Sequence, residues 1–394
     1  MDITALLWGL GGTAGLAWLG LLLVWGGFWR CDQRLDGTLP DLATWPDVVA
    51  IVPARNEADV LPTSLTSLLT QTYPGPLQIV LVDDQSTDGT GRVAQDLAAQ
   101  AGASHRLQLI PGTPLPAGWS GKLWAMEQGL NWVRARPAGP TYLLLTDADI
   151  AHDPDNLRQL VSKAEREHLA LVSLMVKLRC QSQWEKLLIP AFVFFFQKLY
   201  PFPWVNTPQR RLAAAAGGCI LVRHDTLEQA GGLAVLREAL IDDCTLAQKI
   251  KAQNPRIWLG LTETTFSLRP YDTLDSVWRM VARTAYTQLA YSPWLLVGSV
   301  LGMTWLYLLA PAGLWGSLAA GRPALALLFL VTWGLMTLAY LPTVRFYRLS
   351  PLWAVTLPLT GFLYTLMTLD SARRHYQGRG GAWKGRVYPA VGKP

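Results

Sequence analysis

Pairs of acidic residues directly follow two apolar segments of the sequence. Asp83 and Asp84 end one segment, and Asp147 and Asp149 follow the other. Short apolar runs of this kind predict buried strands, and ligands bind at the carboxyl ends of strands in open α/β sheets. Carboxylate oxygens suit Mg²⁺ and Mn²⁺, which commonly hold phosphate oxygens. The two pairs therefore predict a site for a divalent metal and a phosphate group.

A third apolar run, residues 48–52, is followed by side chains that could line a nucleotide pocket. They are Pro53, Ala54, Arg55, Asn56 and Glu57. Together with the two acid pairs, this group indicates a nucleotide-sugar site, in which a metal would hold the diphosphate. A capped turn rich in Asp, Ser and Thr, common in any α/β protein, would explain residues 83–88 on their own.

Two further positions carry charges suited to transfer chemistry. Lys122 follows a loop rich in Gly and Pro, residues 111–121, where a lysine ammonium could bind phosphate. A solvated surface lysine is the alternative. Asp242 and Asp243 precede a helical pattern, and a carboxylate there could take a proton as a general base. The alternative for this pair is a helix N-cap, which is compatible with a base.

The elements that position these residues alternate between strand and helix. The apolar runs predict strands at residues 48–52, 77–82, 107–110, 142–146 and 169–175. Leucines at helical spacing follow the first strand, and a cap-plus-proline pair at 153–154 predicts the start of a later helix. Repeated β-α-β order predicts an α/β fold with a mostly parallel sheet and helices on both faces.

Apolar stretches of membrane length flank this pattern. Residues 3–28 carry no charge and lack a small-residue cleavage site, so they predict a retained transmembrane anchor. Residues 293–321, 323–343 and 351–369 predict membrane segments near the C-terminus. Residues 187–205 are apolar and aromatic but interrupted by Lys198, Pro201 and Pro203. We expect this stretch to be an interfacial helix or a wall of the acceptor site.

Residues 274–289 carry Arg279 and Arg283 among apolar residues, which predicts an amphipathic helix along the membrane. The two arginines could meet a diphosphate or lipid headgroups, and an ordinary interfacial helix explains them equally well. The predicted division of the chain is an N-terminal anchor at 1–29, a linker at 30–46, the α/β domain at 47–272, the amphipathic helix at 273–292, C-terminal membrane segments at 293–370 and a basic tail at 371–394.

The basic residues near the predicted spans lead to conflicting predictions of the membrane topology. Arg30 and Arg34 follow the first span, so the positive-inside rule places the α/β domain on the cytoplasmic side. Three further spans would put the C-terminal tail outside, although that tail is strongly basic from Arg373 onward. One stretch, 293–321 or 351–369, is therefore expected to be re-entrant or interfacial.

Composition narrows the classes of function. Of 394 residues, 51% are hydrophobic and 16% charged, and the net charge of +6 gives a pI near 9.2. This charge fits anionic lipid headgroups rather than nucleic acid, because no arginine-rich helix or zinc-finger spacing occurs. The four cysteines form no C-x-x-C pair, so neither a zinc site nor a disulfide framework is indicated. Motifs of zinc hydrolases, P-loop NTPases and lipases are also missing from the sequence.

Four motifs resemble glycosyltransferase family 2, whose members have the GT-A fold. The resemblance covers most of residues 48–283, and the closest similarity is to the hopene-associated glycosyltransferase family, which is similar to ceramide glucosyltransferases. The motifs are Gly118-Trp119-Ser120-Gly121-Lys122-Leu123-Trp124-Ala125, Ala216-Gly217-Gly218-Cys219, Ile241-Asp242-Asp243 and Trp278-Arg279-Met280-Val281-Ala282-Arg283-Thr284. The tail from Gly378 to Arg386 also looks like that family.

The resemblance implies how the donor would be held. The residues that would line the base and ribose pocket are Pro53, Ala54, Arg55 and Glu57. Asp84 would bond the uracil, and Asp147 would lie near the ribose. Asp149 would bind Mg²⁺ or Mn²⁺, which would neutralise the diphosphate leaving group.

The same resemblance implies the catalytic residues. Asp243 would be the general base of an inverting transfer, and Asp242 would tune or orient it, since adjacent like charges raise one pKa. Arg283 matches the arginine of the family's Q-x-x-R-W motif. Met280 and Thr284 stand where Gln and Trp would be, which argues against processive polymer synthesis.

These expectations combine into a membrane-bound inverting glycosyltransferase. The predicted donor is a nucleotide sugar, specifically a UDP-sugar, and the predicted acceptor is a lipid hydroxyl, such as that of a hopanoid or a ceramide-like lipid. Two alternatives stay open, a polyprenyl-phosphate sugar transferase and a non-catalytic membrane scaffold. The expected location is the bacterial inner membrane, with several spans and the catalytic domain on the cytoplasmic side.

Overall fold

The computed structural model describes residues 3–35, 37, 40–237, 239, 241–378, 382–383 and 386–387. Most of the tail motif from Gly378 to Arg386 lies outside these residues. The strands are β1 (Val48–Ala54), β2 (Leu77–Asp83), β3 (Leu107–Pro111), β4 (Tyr142–Thr146), β5 (Ile150–Ala151), β6 (Leu169–Lys177), β7 (Cys219–Arg223), β8 (Arg256–Ser267), β9 (Ala382–Trp383) and β10 (Arg386–Val387). The α-helices are α1 (Ile3–Val24), α2 (Leu61–Leu69), α3 (Thr90–Gln100), α4 (Gly121–Arg134), α5 (Asn156–Glu167), α6 (Gln183–Leu199), α7 (Phe202–Val205), α8 (His224–Gln229), α9 (Asp242–Lys251), α10 (Leu274–Ala282), α11 (Pro293–Met303), α12 (Leu309–Ala319), α13 (Pro323–Phe346) and α14 (Leu357–Tyr376).

Eight strands form one sheet in the order β3-β2-β1-β4-β7-β6-β8-β5. The pairs β3-β2, β2-β1, β1-β4 and β6-β8 are parallel, whereas β4-β7, β7-β6 and β8-β5 are antiparallel. The five predicted strands correspond to β1, β2, β3, β4 and β6, and the predicted α/β fold is confirmed. The sequence did not predict β5, β7 and β8, and the antiparallel pairs that they form make the sheet mixed.

Side chains along β1 alternate between two apolar cores. Val49 and Ile51 pack in the core that α4 and α9 help to form, whereas Ala50 and Val52 pack in the core that contains α2, α3 and α5. Because successive side chains of a strand point to opposite faces, a fully apolar strand needs cover on both sides. The parallel strands β1, β2 and β4 therefore end at one edge of a covered sheet, where the predicted site residues follow.

Helix α6 lies between the α/β domain and the membrane-type helices. Ile189 and Val193 pack in the core of the domain, whereas Leu188 and Phe194 pack with residues of α1, α13 and α14. Its N-terminus is fixed by a capping box, in which Ser182 Oγ accepts the N–H of Glu185 and the Glu185 carboxylate accepts the N–H of Ser182. The helix is thus a layer shared by the α/β domain and the membrane-type helices.

Five helical segments of the described residues are long and apolar enough to cross a membrane. They are Thr4–Val24, Gln183–Val205, Pro293–Ala319, Pro323–Phe346 and Pro351–Tyr376. Helices α1 and α13 run in the same direction, because a Cβ at Gly11 would lie 2.8 Å from the ring of Phe329 and Cys31 Sγ lies 3.4 Å from Thr343 Oγ1. A turn of π-helix at Thr304–Leu308 joins α11 to α12. Pro311 has no N–H for the carbonyl four residues earlier, and a π-turn accommodates such a gap.

The last long apolar segment, residues 347–376, begins and ends on the same side of the membrane-type helices. Phe346, at the end of α13, packs against the ammonium of Lys177 from β6. Trp333 Nε1 then donates to the carbonyl of Val355 at 3.1 Å, which places residues 351–356 beside the middle of α13. Helix α14 runs from there to α10, where Asp370 accepts from Trp278 Nε1 at 2.8 Å. One end of residues 347–376 therefore lies beside β6 of the α/β domain and the other beside α10, which directly follows that domain, and this is the geometry of a re-entrant segment.

The amphipathic helix is shorter than the sequence predicts. Helix α10 ends at Ala282, and Arg283 caps it. The N–H of Tyr286 donates to Ser371 Oγ of α14 at 3.0 Å instead of continuing the helical ladder. A contact with a distant part of the chain thus ends the helix, and no local sequence signal marks that end.

Candidate active site

A cavity of about 240 Å³ opens where β1 and β4 end. The predicted site residues that line it are Pro53, Glu57, Lys122, Asp147, Asp149, Asp243 and Arg283. They come from both the strand ends and the helix starts, since Lys122 is in the first turn of α4 and Asp243 is in the first turn of α9. The structure therefore brings together residues that span more than half of the sequence.

Lys122 connects the acidic residues of the two motifs. Its Nζ lies 2.6 Å from Asp147 Oδ1, so the residue is not a solvated surface lysine. Burial acts to lower the pKa of Lys122, but the charges of Asp147 and Asp242 outweigh it, and the pKa is raised. The ammonium therefore stays charged near neutral pH, as a phosphate ligand requires.

Asp243 is held by two backbone N–H groups. Its Oδ2 accepts from Gly217 at 2.9 Å, and its Oδ1 accepts from Cys244 at 2.7 Å. Burial and the charge of Asp242 raise the pKa of Asp243 to about 6. The carboxylate is thus fixed in place and can take up a proton near neutral pH.

Asp149 pairs with an arginine that the sequence did not single out. Arg269 Nε lies 2.8 Å from Asp149 Oδ2, and Arg269 Nη2 lies 3.6 Å from Glu57 Oε1. Burial raises the pKa of Asp149, and Arg269 opposes that rise. Arg269 follows β8, and because that strand was not predicted, no local signal placed this arginine at the site.

A buried polar network supports the turn that carries Asp147 and Asp149. Thr146 Oγ1 lies 3.0 Å from His152 Nε2, and Asn156 Nδ2 lies 2.9 Å from His152 Nδ1. Burial lowers the pKa of His152 to about 3, so its ring is neutral. With both ring nitrogens engaged, this histidine is a structural residue rather than a catalytic acid or base.

Ala54, Arg55 and Asp84 lie at the same strand ends but outside the lining of this cavity. Asp84 is fully buried, its N–H donates to the carbonyl of Ala54 at 2.8 Å, and its Oδ2 lies 3.5 Å from Arg55 Nη1. The three residues thus join the ends of β1 and β2. Arg279 is not brought to the cavity, because its guanidinium is mostly exposed and pairs with Asp275 within α10.

One wall of the cavity is aromatic. Phe192 and Phe196 project from α6, and Tyr271 projects from the loop after β8. The N–H of Tyr271 donates to Glu185 Oε1 at 2.8 Å, so the buried Glu185 ties this loop to the start of α6. Phe192 and Phe196 thus place part of residues 187–205 against this cavity. No local pattern in the sequence marks Tyr271 or Glu185 as contributors.

These features agree with two comparisons with known proteins. Residues 49–231 match the family model described as Glycosyl transferase family 2. A relative, the undecaprenyl-phosphate mannosyltransferase of Micrococcus luteus, is 30% identical over 130 residues, which are 33% of this chain and 49% of that protein. The match thus spans about half of the length of that relative.

A solved structure extends the likeness to the whole fold. The mannosyltransferase PcManGT from Pyrobaculum calidifontis, in complex with GDP-Man and Mn²⁺, superposes with a TM-score of 0.59 at 21% identity. The superposition covers 92% of this chain and 99% of that chain. At this identity the likeness shows the fold alone, and the chain has a GT-A-like α/β fold with long apolar helices at both ends.

Proposed function

We propose that this chain is an inverting glycosyltransferase that moves a sugar from a nucleotide sugar to the hydroxyl of a membrane lipid. One observation carries the proposal. The buried carboxylate of Asp243 lies in a cavity with a Lys122–Asp147 ion pair and with the aromatic side chains of α6. A phosphate-binding cation, a base and an apolar wall that continues into the membrane-type helices are what a transfer from a diphosphate to a lipid requires.

In this proposal the donor lies across the ends of β1, β2 and β4. Pro53 and Glu57 contact the nucleoside from the cavity wall, and Asp84 with Arg55 and Ala54 shapes the pocket for the base. Lys122 and Arg283 hold the diphosphate. We take a UDP-sugar as the donor, and GDP-mannose is the second candidate because PcManGT was solved with GDP-Man.

The side chains of this site fit a divalent metal that is bound jointly by carboxylates and by the phosphates of the substrate. Asp147 and Asp149 line the cavity with carboxylate oxygens, and no group of three His, Cys, Asp or Glu side chains converges within the described ranges. Mg²⁺ and Mn²⁺ sites built from one or two carboxylates and the phosphates of the substrate need no third side chain. We assign Asp149 as the metal ligand and place Asp147 near the ribose. Such a metal would neutralise charge on the departing diphosphate.

Asp243 acts on the acceptor. Its carboxylate takes the proton of the lipid hydroxyl while that oxygen forms a bond to the anomeric carbon. The bond from that carbon to the donor phosphate breaks, and the nucleoside diphosphate leaves with the electron pair. Attack from the face opposite the leaving group inverts the anomeric centre. Asp242 keeps the pKa of Asp243 raised, which strengthens the base.

A lipid phosphate is the second candidate acceptor, because the Micrococcus luteus relative is an undecaprenyl-phosphate mannosyltransferase. A phosphate oxygen is already ionised, so this transfer would not need Asp243 as a base. A hopanoid or ceramide-like hydroxyl remains the first candidate. We place the reaction at the bacterial inner membrane, with the α/β domain in the cytoplasm, where nucleotide sugars are found.

Mass spectrometry of lipid extracts tests this proposal. Membranes that contain the chain are incubated with UDP-sugars or GDP-mannose, and with either hydroxyl lipids or undecaprenyl phosphate. We expect one added sugar on a hydroxyl lipid with the wild type and a strongly reduced yield with Asp243→Asn. Sugar found only on the lipid phosphate would establish the second candidate. Nucleotide binding without any transfer would favour a scaffold.

A further inference from the structure

Three cations near the end of α13 share one carboxylate. Glu263 Oε1 lies 3.0 Å from Arg34 Nη1, and Glu263 Oε2 lies 3.0 Å from Arg348 Nη2. Lys177 Nζ reaches the same Oε2 only at 3.7 Å. Two guanidiniums thus hold the carboxylate more closely than the ammonium does, and in the described part of the chain Lys177 has no other ion pair.

Lys177 is largely buried, so weak pairing with Glu263 leaves its charged form poorly stabilised. Its side chain is only 13% exposed, and its ammonium lies 5.0 Å from the ring centre of Phe346 and 5.8 Å from that of Tyr347. Burial lowers the pKa of Lys177, Glu263 opposes this effect, and Arg348 adds to it. A further anion beside Lys177 would stabilise its charged form.

An open cavity of about 470 Å³ adjoins this cluster. Lys177, Arg179, Phe266 and Tyr347 line it. Arg348 lies beside this cavity, because its Nη2 and Lys177 Nζ both approach Glu263 Oε2. A phosphate group offers several acceptor oxygens, so one such group could bind the ammonium of Lys177 and the guanidinium of Arg348 together.

The cavity lies where a bilayer would place its headgroups. It adjoins the end of α13, a 24-residue apolar helix that ends at Phe346. Arg348 is 79% exposed just beyond that end. The large apolar side chains of Leu352 and Val355 are exposed a few residues further along the chain. Charged donors next to exposed apolar side chains match the two parts of a phospholipid.

We propose that this cavity, between β6, β8 and the end of α13, binds the phosphate of an anionic bilayer phospholipid. Lys177 holds the phosphate from the cavity wall, Arg348 holds it from outside the lining through its position beside Glu263, and the acyl chains lie along Leu352 and Val355. The site is distinct from the catalytic cavity, although Leu178 and Ser267 line both. The lipid therefore fixes the depth of the catalytic cavity relative to the membrane surface and takes no part in the transfer.

Native mass spectrometry of the full chain in detergent tests this site without a donor or acceptor. Phosphatidylglycerol, phosphatidylcholine and inorganic phosphate are titrated separately. We expect phosphatidylglycerol to bind most tightly, and Lys177→Gln and Arg348→Gln each to weaken it by about tenfold, because each removes a charged hydrogen bond. Arg345→Gln is the matched control, since Arg345 is exposed near the same helix end and forms no ion pair with Glu263. Its affinity should stay within about twofold of the wild type.

Three results would overturn the proposal. They are equal affinity for the two phospholipids, an equal loss with Arg345→Gln, and inorganic phosphate binding as tightly as phosphatidylglycerol. The first two would indicate unspecific attraction to a charged surface, and the third would indicate a site for free phosphate. Because the Arg348 side chain is largely exposed, its variant keeps the test valid even if Lys177→Gln fails to fold.

Discussion

The backbone N–H of Gly217 donates a 2.9 Å hydrogen bond to Oδ2 of Asp243. A Cβ at position 217 would lie 3.3 Å from both that oxygen and Lys122 Nζ, so a larger residue would crowd the acid and the cation together. Gly217 comes just before β7, the antiparallel strand between β4 and β6. The middle of the sheet therefore positions the proposed base.

Asp243→Asn should remove transfer while leaving nucleotide binding nearly intact. The base acts only as the acceptor proton leaves, and its loss typically lowers the rate by about 10²–10⁴-fold. Asp242→Asn should have a smaller effect, because Asp242 tunes the base without receiving the proton. Turnover with a confirmed hydroxyl lipid and nucleotide affinity by calorimetry measure the two effects. Wild-type turnover in Asp243→Asn would place the base elsewhere and favour a phosphate acceptor.

The transfer rate should rise with pH through the pKa of Asp243, which burial and Asp242 raise to about 6. Only the deprotonated carboxylate can take the hydroxyl proton, so kcat/KM should fall about tenfold for each pH unit well below that pKa. The measurement is a pH profile of kcat/KM between pH 4.5 and 8. For Asp242→Asn, the midpoint should move to lower pH, since the like charge is gone. A midpoint that does not move would show that Asp242 does not tune the base.

The same raised pKa should make the charged form of Asp243 unfavourable for stability. The folded state binds this proton more tightly than the unfolded chain, so the stabilisation is complete below the unfolded pKa near 4 and is lost as pH rises through about 6. Asp243→Asn should therefore raise the melting temperature at pH 7.5 by a few degrees and change it little at pH 4. Thermal melts of both proteins in one detergent at the two pH values measure this. Equal shifts at both values would contradict the linkage.

Asp149→Ala should abolish the stimulation of nucleotide binding by metal. Asp149 lines the cavity beside Asp147, and removing a metal ligand should weaken metal affinity by more than about tenfold. Calorimetry of UDP and GDP with and without Mn²⁺ measures this loss. Asp96→Ala, an exposed acid on α3, is the matched control. Unchanged metal-stimulated affinity in a folded Asp149→Ala protein would refute the ligand assignment.

Cysteine labelling should place the C-terminal end of the re-entrant segment on the side of the α/β domain. In a Cys180→Ser background, Gln100→Cys on α3 and Gln377→Cys after α14 should react with an impermeant maleimide from the same side. Ala320→Cys, between α12 and α13, should react only from the other side. All three positions are exposed in the structure. Labelling of Gln377→Cys and Ala320→Cys from one side would contradict the return of α14.

The sequence predicts the parts of the site that depend on local patterns. The apolar runs of β1, β2 and β4 each end in the residues that were expected to follow them, because a buried parallel strand needs an uninterrupted apolar run. The contribution of Arg269 could not be predicted in this way. It follows β8, a strand of 12 residues whose first half, from Ile257 to Leu261, is an apolar run and whose second half is mostly polar, including Glu263. The apolar run could have predicted a strand, but the polar half hides its length and the position of Arg269 after it.

Other features depend on contacts between distant segments. Helix α10 ends early because Tyr286 bonds to Ser371, and the chain between them includes two long apolar segments and most of a third. The sequence predicted that either residues 293–321 or residues 351–369 are re-entrant, but it did not decide between them. Hydropathy reports the length and composition of an apolar stretch but not the direction of the chain. The contact between Trp278 and Asp370 supplies the missing direction.

Helix α6 has a practical consequence for how this protein can be studied. One face of the helix belongs to the domain core, and the other packs with the membrane-type helices. A truncated chain of residues 47–272 would keep the helix and leave Leu188, Phe194 and Phe195 without cover. That fragment would aggregate, because a large apolar surface of this kind is not stable in water. We therefore expect that residues 47–272 cannot be expressed as a water-soluble fragment.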